Sequence, residues 1–242
     1  EHNWLKTNHP EFLVSYQPGN RYGDFYCPMY SRVANIPREY ASAARGRPMF
    51  LVEYAYSRGN ATGNLQDYWT FFENQPYTLG GFIWDWQDKG IRRTDANGKQ
   101  YFAYGGDFGD KPNDETQVMN GIVTSDRSPT PALAEVKKVY QEIKITAVDL
   151  AAGKVNIKNK YVFRDLSFVK GSWKIEENGA EIASGALPTL DIAPGADREI
   201  TLPLKQPQLR PGAEYFLTVK FDLAAATAWA PAGHPMAFEQ FL

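Results

Sequence analysis

A glutamate at the end of an apolar segment is the strongest chemical feature of this 242-residue sequence. Residues 49–52 (MFLV) are continuously apolar, and Glu53 follows them directly. A carboxylate among buried neighbours is costly unless it is hydrogen-bonded or used in a reaction. In α/β barrels the carboxyl-terminal ends of the strands carry the catalytic groups. The position therefore predicts a catalytic carboxylate, and a structural glutamate paired with an arginine fits the same pattern.

Two aromatic residues stand at comparable positions. Trp84 ends the apolar run 79–84 (LGGFIW) and begins the motif WDW, and Tyr30 closes the motif CPMY after residues 24–27. An indole can offer a flat apolar face to a ligand, and a phenol beside a carboxylate tunes its charge by hydrogen bonding. The alternatives are a Trp that caps a barrel core and a Tyr that packs against a loop.

The elements around these residues predict an α/β domain over residues 1–143. Short apolar runs at 12–16, 24–27, 49–52 and 79–84 are typical of buried parallel strands. Residues 65–73 carry apolar side chains at helical spacing and predict an amphipathic helix. A polar, glycine-rich stretch follows at 89–127, and loops of that length are often functional. A further helix is predicted where Ala132, Val136, Val139 and Ile143 recur after Pro129 and Pro131.

From about residue 144 the pattern changes to alternating apolar and polar residues. Segments such as KVNIKN and EYFLTVKFDL predict half-buried strands, and Asn178-Gly179 between two of them predicts a tight hairpin. Residues 144–242 therefore predict an all-β domain of the Ig-like sandwich type.

Composition narrows the function further. The net charge of −2 disfavours a nucleic-acid or anionic-membrane partner, and no apolar run is long enough to span a membrane. The three histidines are too scattered for a zinc site. No G-x-S-x-G nucleophile elbow and no phosphate-binding glycine loop occur. The single cysteine, Cys27, fits the cytoplasm and the periplasm alike, so the compartment stays open.

Longer motifs in a fixed order carry a family resemblance. The segments CPMYSRV, LVEYAYSRGN, GGFIWDWQDKG, AYGGDFGDKPND and MNGIVTSDRSPTPALAEVKKVYQ resemble the lacZ-type β-galactosidases of glycoside hydrolase family 2. The resemblance is strong over residues 4–143 and weaker through the predicted sandwich, for example in ATAWAPAGH. It implies the carboxyl-terminal half of a (β/α)8 barrel, a double displacement with retention, and β-D-galactosides as substrates.

The resemblance also implies roles for individual residues. Glu53 falls on the nucleophile, and Tyr30 on the tyrosine beside it. Trp84, Tyr54 and Tyr56 fall on positions expected to contact the sugar. Asn120 is expected to bind both galactose and Na⁺, with the backbone carbonyl of Gln117 as a second sodium ligand. Asn113 is expected to lie near a Mg²⁺ site whose main ligands belong to another part of the protein.

The sequence departs from the family pattern at several points. Tyr56 stands where the family often has His, and Gln117 where it usually has an aromatic residue. The acid/base glutamate of the family's GNE motif is absent, and Asp85, Asp107 and Asp114 lack that motif. We therefore expect the chain to be inactive alone and to need the remaining part of the same enzyme. The resemblance also implies that the enzyme is a homo-oligomer. A β-glucuronidase or β-mannosidase relative and a non-catalytic carbohydrate-binding or assembly module are the competing hypotheses.

Overall fold

A computed structural model describes residues 1–18, 21–59 and 62–242 of the protein. The chain is mixed α/β with more strand than helix. It divides into two compact units, Glu1–Val139 and Tyr140–Leu242, which we call the amino-terminal and the carboxyl-terminal unit. Asn60, the last residue of the LVEYAYSRGN motif, lies outside the described residues.

The amino-terminal unit alternates helices and short strands. Its elements are helices α1 (His2–Asn8), α2 (Ile36–Ala43), α3 (Leu65–Asn74) and α4 (Pro131–Val139), strands β1 (Met49–Tyr54), β2 (Thr78–Ile83), β3 (Ile91–Thr94) and β4 (Gln100–Ala103), and 3₁₀ turns at Val33–Asn35 and Glu115–Val118. The strands predicted at 49–52 and 79–84 and the helix predicted at 65–73 are confirmed. Helix α4 ends at Val139, whereas Ile143 already begins a strand of the other unit.

The parallel arrangement predicted for this unit is present between β1 and β2. On the other side of β1, Tyr26 and Met29 make isolated parallel bridges to Met49 and Glu53. The strand predicted at 24–27 is therefore reduced to single bridges. The strand predicted at 12–16 is wrong: Val14 exchanges hydrogen bonds with Asp24 in a loop, and no strand forms there.

A register irregularity in β1 sets the environment of Glu53. Leu51 pairs with Gly81 and Tyr54 with Ile83, so Val52 and Glu53 together oppose Phe82 alone. Such a bulge places one extra residue in a strand and re-aims the side chains after it. Tyr54 is consequently buried like Leu51, whereas Glu53 is only partly buried.

Helix α3 covers the buried side of β1. Leu65 and Phe72 are buried, and the rings of Tyr68 and Phe72 meet the ring of Tyr54 edge to face at 5.2 and 5.9 Å. Edge-to-face contacts add stability beyond the area that they bury. This aromatic packing fixes the strand whose end carries Glu53.

The long polar stretch at 89–127 contains regular structure that the sequence did not predict. Strands β3 and β4 form an antiparallel hairpin, with Asn97-Gly98 in its turn. Gly98 adopts a φ of 82°, a left-handed conformation that glycine tolerates without a steric cost.

The carboxyl-terminal unit consists of two antiparallel sheets. One has the strand order β11-β10-β7-β8 and the other the order β5-β6-β9. The strands are β5 (Ile143–Asp149), β6 (Lys154–Asn159), β7 (Val169–Glu177), β8 (Ala180–Ala186), β9 (Asp197–Thr201), β10 (Tyr215–Leu223) and β11 (Pro235–Phe241). The hairpin predicted at Asn178-Gly179 is confirmed: both residues have positive φ between the paired residues Glu177 and Ala180, as a type I′ turn requires.

Both sheets contribute to one hydrophobic core. Val155 and Ile157 of β6 belong to the same cluster of buried side chains as Trp173 of β7 and Phe221 of β10. Asn159, also fully buried, donates to the carbonyls of Arg164 and Ile192, so its amide is satisfied inside the unit. Across the described ranges of both units, no helix has the length and apolar character needed to cross a membrane.

Candidate active site

Glu53 and Tyr30 form a hydrogen-bonded pair at the end of β1. The Tyr30 hydroxyl donates to Glu53 Oε2 at 2.6 Å, and the Tyr30 backbone N–H donates to the Glu53 carbonyl at 2.9 Å. Burial is the largest cause that raises the pKa of Tyr30 above the usual phenol value of 10.0, followed by the hydrogen bond to Glu53 and its charge. The phenol is therefore a proton donor to the carboxylate at neutral pH.

The backbone is strained at Tyr30 and two residues after Glu53. Tyr30 has a φ of 55° and Ala55 a φ of 48°, both in the left-handed region that non-glycine residues seldom adopt. Conformations of this kind cost about 1–3 kcal/mol each and cluster at functional sites. Here the strained residues flank the carboxylate that the sequence predicts to be catalytic.

Trp84 follows β2 next to the end of β1. Its backbone N–H donates to the Tyr54 carbonyl at 3.1 Å, and its own carbonyl accepts from the Ser57 N–H at 2.8 Å. The indole is 38% exposed. The strand ends that carry Glu53 and Trp84 are thus joined by a hydrogen bond, and part of the Trp84 residue is exposed.

Tyr54 does not belong to the site as predicted. Its side chain is 0% exposed, and its hydroxyl accepts a hydrogen bond from the indole N–H of Trp69 at 3.0 Å. The bulge after Leu51 turns this residue towards α3, so the expectation that its side chain contacts the sugar is not retained. Its carbonyl instead positions Trp84.

Tyr56 and Gln117, the two departures from the family pattern, contact each other. The Tyr56 hydroxyl lies 2.6 Å from Gln117 Oε1 and 3.0 Å from the Gln117 carbonyl oxygen. Arg58 donates to the same Oε1 at 3.3 Å. The Tyr56 ring also meets the Tyr30 ring edge to face at 6.2 Å. The pair therefore joins the Glu53 end of the site to the 3₁₀ turn Glu115–Val118.

Asn120 lies on a segment that is bonded closely to the loop after Trp84. The Asp85 N–H donates to the Asn120 carbonyl at 2.8 Å, and the Gly121 N–H donates to Asp88 Oδ1 at 2.8 Å. A Cβ at Gly121 would lie 2.1 Å from the Asp88 nitrogen, so only glycine fits this approach. The MNG motif thus places the Asn120 side chain, which is 3% exposed, beside the WDW motif.

Lys89 is a site residue that the sequence reasoning missed. Its Nζ lies 2.8 Å from Asn120 Oδ1, 2.5 Å from Asp85 Oδ2 and 5.3 Å from the centroid of the Trp84 ring. The only signal in the sequence was its position four residues after Asp85. The ammonium links three groups at the centre of the predicted sugar site.

The predicted sodium ligands do not fit a sodium ion in this arrangement. Asn120 Oδ1 already accepts from the Lys89 ammonium, and the Gln117 carbonyl accepts from Tyr56. A metal ion on the free side of the same amide oxygen would lie close to the ammonium charge. Two unit charges about 4 Å apart repel by about 4 kcal/mol near a protein surface.

Asn113 is held within its own loop. Its Nδ2 donates to the Asp110 carbonyl at 2.9 Å, and its Oδ1 accepts from the Glu115 N–H at 3.1 Å. Among residues 1–18, 21–59 and 62–242, no group of three His, Cys, Asp or Glu side chains is arranged to hold a metal. The Mg²⁺ site near Asn113 stays a prediction.

Two cavities border the residues around Glu53. Their volumes are about 630 and 510 Å³, the first lined by Ala55 and Tyr56 and the second by Met119 and Gly121. Neither is lined by Glu53.

Comparison with known proteins matches the chain to one class. The family model described as "Glycosyl hydrolases family 2, TIM barrel domain" matches residues 13–145, and the model "Beta-galactosidase, domain 4" matches residues 155–242. The chain therefore belongs to glycoside hydrolase family 2, as its motifs predict.

Curated relatives agree with this assignment. The chain is 42% identical over 90% of its length to a protein named beta-galactosidase from Priestia megaterium. It is 39% identical over 99% of its length to one from Klebsiella pneumoniae, and 36% identical over 98% to beta-galactosidase 2 from Enterobacter cloacae. The chain spans only 21% of the first relative and 24% of the other two.

Proposed function

We propose that this chain supplies the nucleophile and part of the sugar site of a retaining β-galactosidase. The observation that carries the proposal is the 2.6 Å hydrogen bond from Tyr30 to Glu53, at a strand end joined to that of Trp84. A partly exposed carboxylate with one phenol donor can attack an anomeric carbon. The exposed indole offers a flat apolar surface to the sugar ring.

The two steps of a double displacement make different demands on Glu53. In the first step the carboxylate forms a bond to the anomeric carbon as the aglycone leaves. In the second step water displaces the carboxylate, so Glu53 leaves as an anion. The Tyr30 phenol, whose raised pKa keeps it protonated, stabilises that anion by hydrogen bonding. Its role is to assist the release of the sugar from the enzyme.

The second carboxyl group of the reaction has no convincing candidate in this chain. Retaining glycosidases place their two carboxyl groups about 5–5.5 Å apart. Asp85 is engaged by Lys89, Asp107 accepts from the Tyr104 N–H, and neither lies in the family's acid/base motif. We infer that the acid/base glutamate comes from the remaining part of the same enzyme, and that this chain alone is inactive.

The architecture of the complete enzyme follows from the same proposal. Phe25, Phe50 and Phe82 form a chain of edge contacts at 5.5 and 5.7 Å, and Phe82 is largely exposed. Phe25 and Phe50 are partly buried, and a row of incompletely covered rings is expected where the inner surface of a half barrel awaits further strands. We propose a half (β/α)8 barrel over 1–143 and an Ig-like sandwich over 144–242. Assembly into a homo-oligomer remains a prediction from the resemblance.

A substrate panel with product stereochemistry tests the proposal. The complete polypeptide that carries this chain is incubated with nitrophenyl β-galactoside, β-glucuronide and β-mannoside, and the first sugar product is followed by proton NMR. We expect preference for the galactoside and initial release of β-galactose, as retention requires. Preference for a glucuronide or a mannoside contradicts the assigned sugar. Galactose binding without turnover contradicts the enzymatic assignment.

A further inference from the structure

The environment of the Lys89 ammonium is unusual for a surface lysine. An ion pair between exposed residues four apart contributes little on its own, and the Lys89 side chain is 44% exposed. Its second partner is different, because Asn120 is almost completely buried and its amide oxygen needs a donor. The Lys89 ammonium donates to this amide oxygen at an Nζ–Oδ1 distance of 2.8 Å.

The ammonium has one hydrogen-bond donor to spare. A lysine ammonium carries three N–H donors, and Asn120 Oδ1 and Asp85 Oδ2 take two of them. Within the described part of the chain the third has no hydrogen-bonding partner, and the ammonium lies over the accessible Trp84 ring. A sugar placed against that ring would bring its hydroxyl oxygens next to a cation.

We propose that the Lys89 ammonium takes the place of a bound sodium ion in this site and positions the sugar through its third donor. The ammonium and the sodium ion are both monovalent cations that bind amide, carboxylate and hydroxyl oxygens. The inference rests on the proposed function, because the site in which Lys89 acts is the sugar site beside Glu53. Lys89 is a positioning residue, and hydrolysis by this enzyme is independent of sodium.

The test compares wild type with Lys89→Gln in the complete polypeptide that carries the chain. Nitrophenyl β-galactoside hydrolysis is measured in choline chloride and in sodium chloride at equal ionic strength. Thermal unfolding in the two salts gives a readout that does not depend on activity. Lys99→Gln, which changes an exposed lysine in the β3–β4 turn, is the matched control.

For wild type and Lys99→Gln we expect the same KM and the same unfolding temperature in both salts. For Lys89→Gln in choline we expect KM to rise by about tenfold, since a hydrogen bond from a charged donor is lost, with a smaller change in kcat. Sodium then has access to Asn120 Oδ1. It should lower the KM of this variant and raise its unfolding temperature.

Three results would overturn the inference. They are saturable activation of wild type by sodium, a Lys89→Gln variant with the KM of Lys99→Gln, and a Lys89→Gln variant that sodium neither rescues nor stabilises. Failure of the proposed function would look different from these results. Neither wild type nor any variant would then hydrolyse a glycoside in either salt. The salt-dependent unfolding of Lys89→Gln would still report on the cation site.

Discussion

In the carboxyl-terminal unit, two antiparallel sheets share a closed core, whereas in the amino-terminal unit the strands β1 and β2 leave large apolar side chains in solvent. Phe221 in the carboxyl-terminal unit is 1% exposed. In the amino-terminal unit, Phe82 and Leu79 of β2 are mostly exposed. The sequence patterns differ in the same way, since alternating strands need one covered face and continuously apolar strands need two.

The packed core and the predicted site residues lie in different units. The carboxyl-terminal unit has longer strands and a satisfied buried asparagine, and it contains none of the predicted catalytic or ligand-binding residues. The amino-terminal unit has short strands, a register irregularity at Glu53 and left-handed residues at Tyr30 and Ala55. Strain of this kind is tolerated where the surrounding structure holds it in place, and here it surrounds the proposed nucleophile.

The largest expected effect concerns the nucleophile in the amino-terminal unit. In the complete enzyme, Glu53→Gly should lower kcat by roughly 10⁴-fold or more, because no other group can form the covalent intermediate. Added azide should restore turnover by attacking the anomeric carbon in place of the carboxylate, giving the α-galactosyl azide. Glu11→Gln, an exposed carboxylate of the same unit, should leave kcat unchanged. Retained activity in Glu53→Gly without azide would contradict the assignment.

The core of the carboxyl-terminal unit gives the next largest effect. Phe221→Ala should reduce the free energy of unfolding by about 3–5 kcal/mol, because a large ring is removed from a core that cannot collapse fully. Phe163→Ala removes the same ring from a residue that is 96% exposed. This change should alter the free energy of unfolding by less than about 0.5 kcal/mol. Urea unfolding followed by tryptophan fluorescence measures both. Equal effects would show that the core is not closed as described.

Tyr30→Phe should have an intermediate effect on catalysis. Loss of a hydrogen bond to a charged group corresponds to about ten- to hundredfold in rate. Because release of Glu53 becomes slow, kcat should fall with KM, and a burst of nitrophenol should precede the steady state. Tyr22→Phe, at an exposed tyrosine, is the control. A variant with wild-type kcat and no burst would exclude this role.

The pH profile sharpens the same prediction. The pKa of Tyr30 is raised above 10.0, chiefly by burial, so the hydrogen bond to Glu53 is present below that pH and is lost only as the pH rises through the raised value. Any fall in kcat between neutral pH and 10.0 should therefore persist in Tyr30→Phe. A fall that disappears in the variant would contradict the direction of this pKa shift.

The smallest effect is expected at the paired departures from the family pattern. Tyr56→Phe removes the hydrogen bonds to Gln117, and a neutral hydrogen bond corresponds to about two- to tenfold in KM. Gln117→Leu should give a similar change, and the double variant should change KM by less than the product of the two. Independent effects would show that the pair does not act as a unit.

Much of this arrangement could be predicted from the sequence. Apolar runs that end in polar or aromatic residues correctly placed Glu53 and Trp84 at adjacent strand ends, and the alternating pattern with Asn178-Gly179 correctly predicted the hairpin. Local patterns failed where tertiary contacts decide. The bulge that buries Tyr54 depends on its pairing with β2, and the Lys89 contacts depend on two segments distant in sequence. Residues 12–16 are apolar enough for a strand, but they are held in a loop by Asp24.

Trapping the covalent intermediate tests the role of Glu53 most directly. The complete enzyme is treated with an activated 2-deoxy-2-fluoro-β-galactoside, digested, and the labelled peptide is sequenced by mass spectrometry. We predict inactivation with one sugar per chain, bound to a side-chain oxygen of Glu53. A label on any peptide that lacks Glu53 would contradict this role.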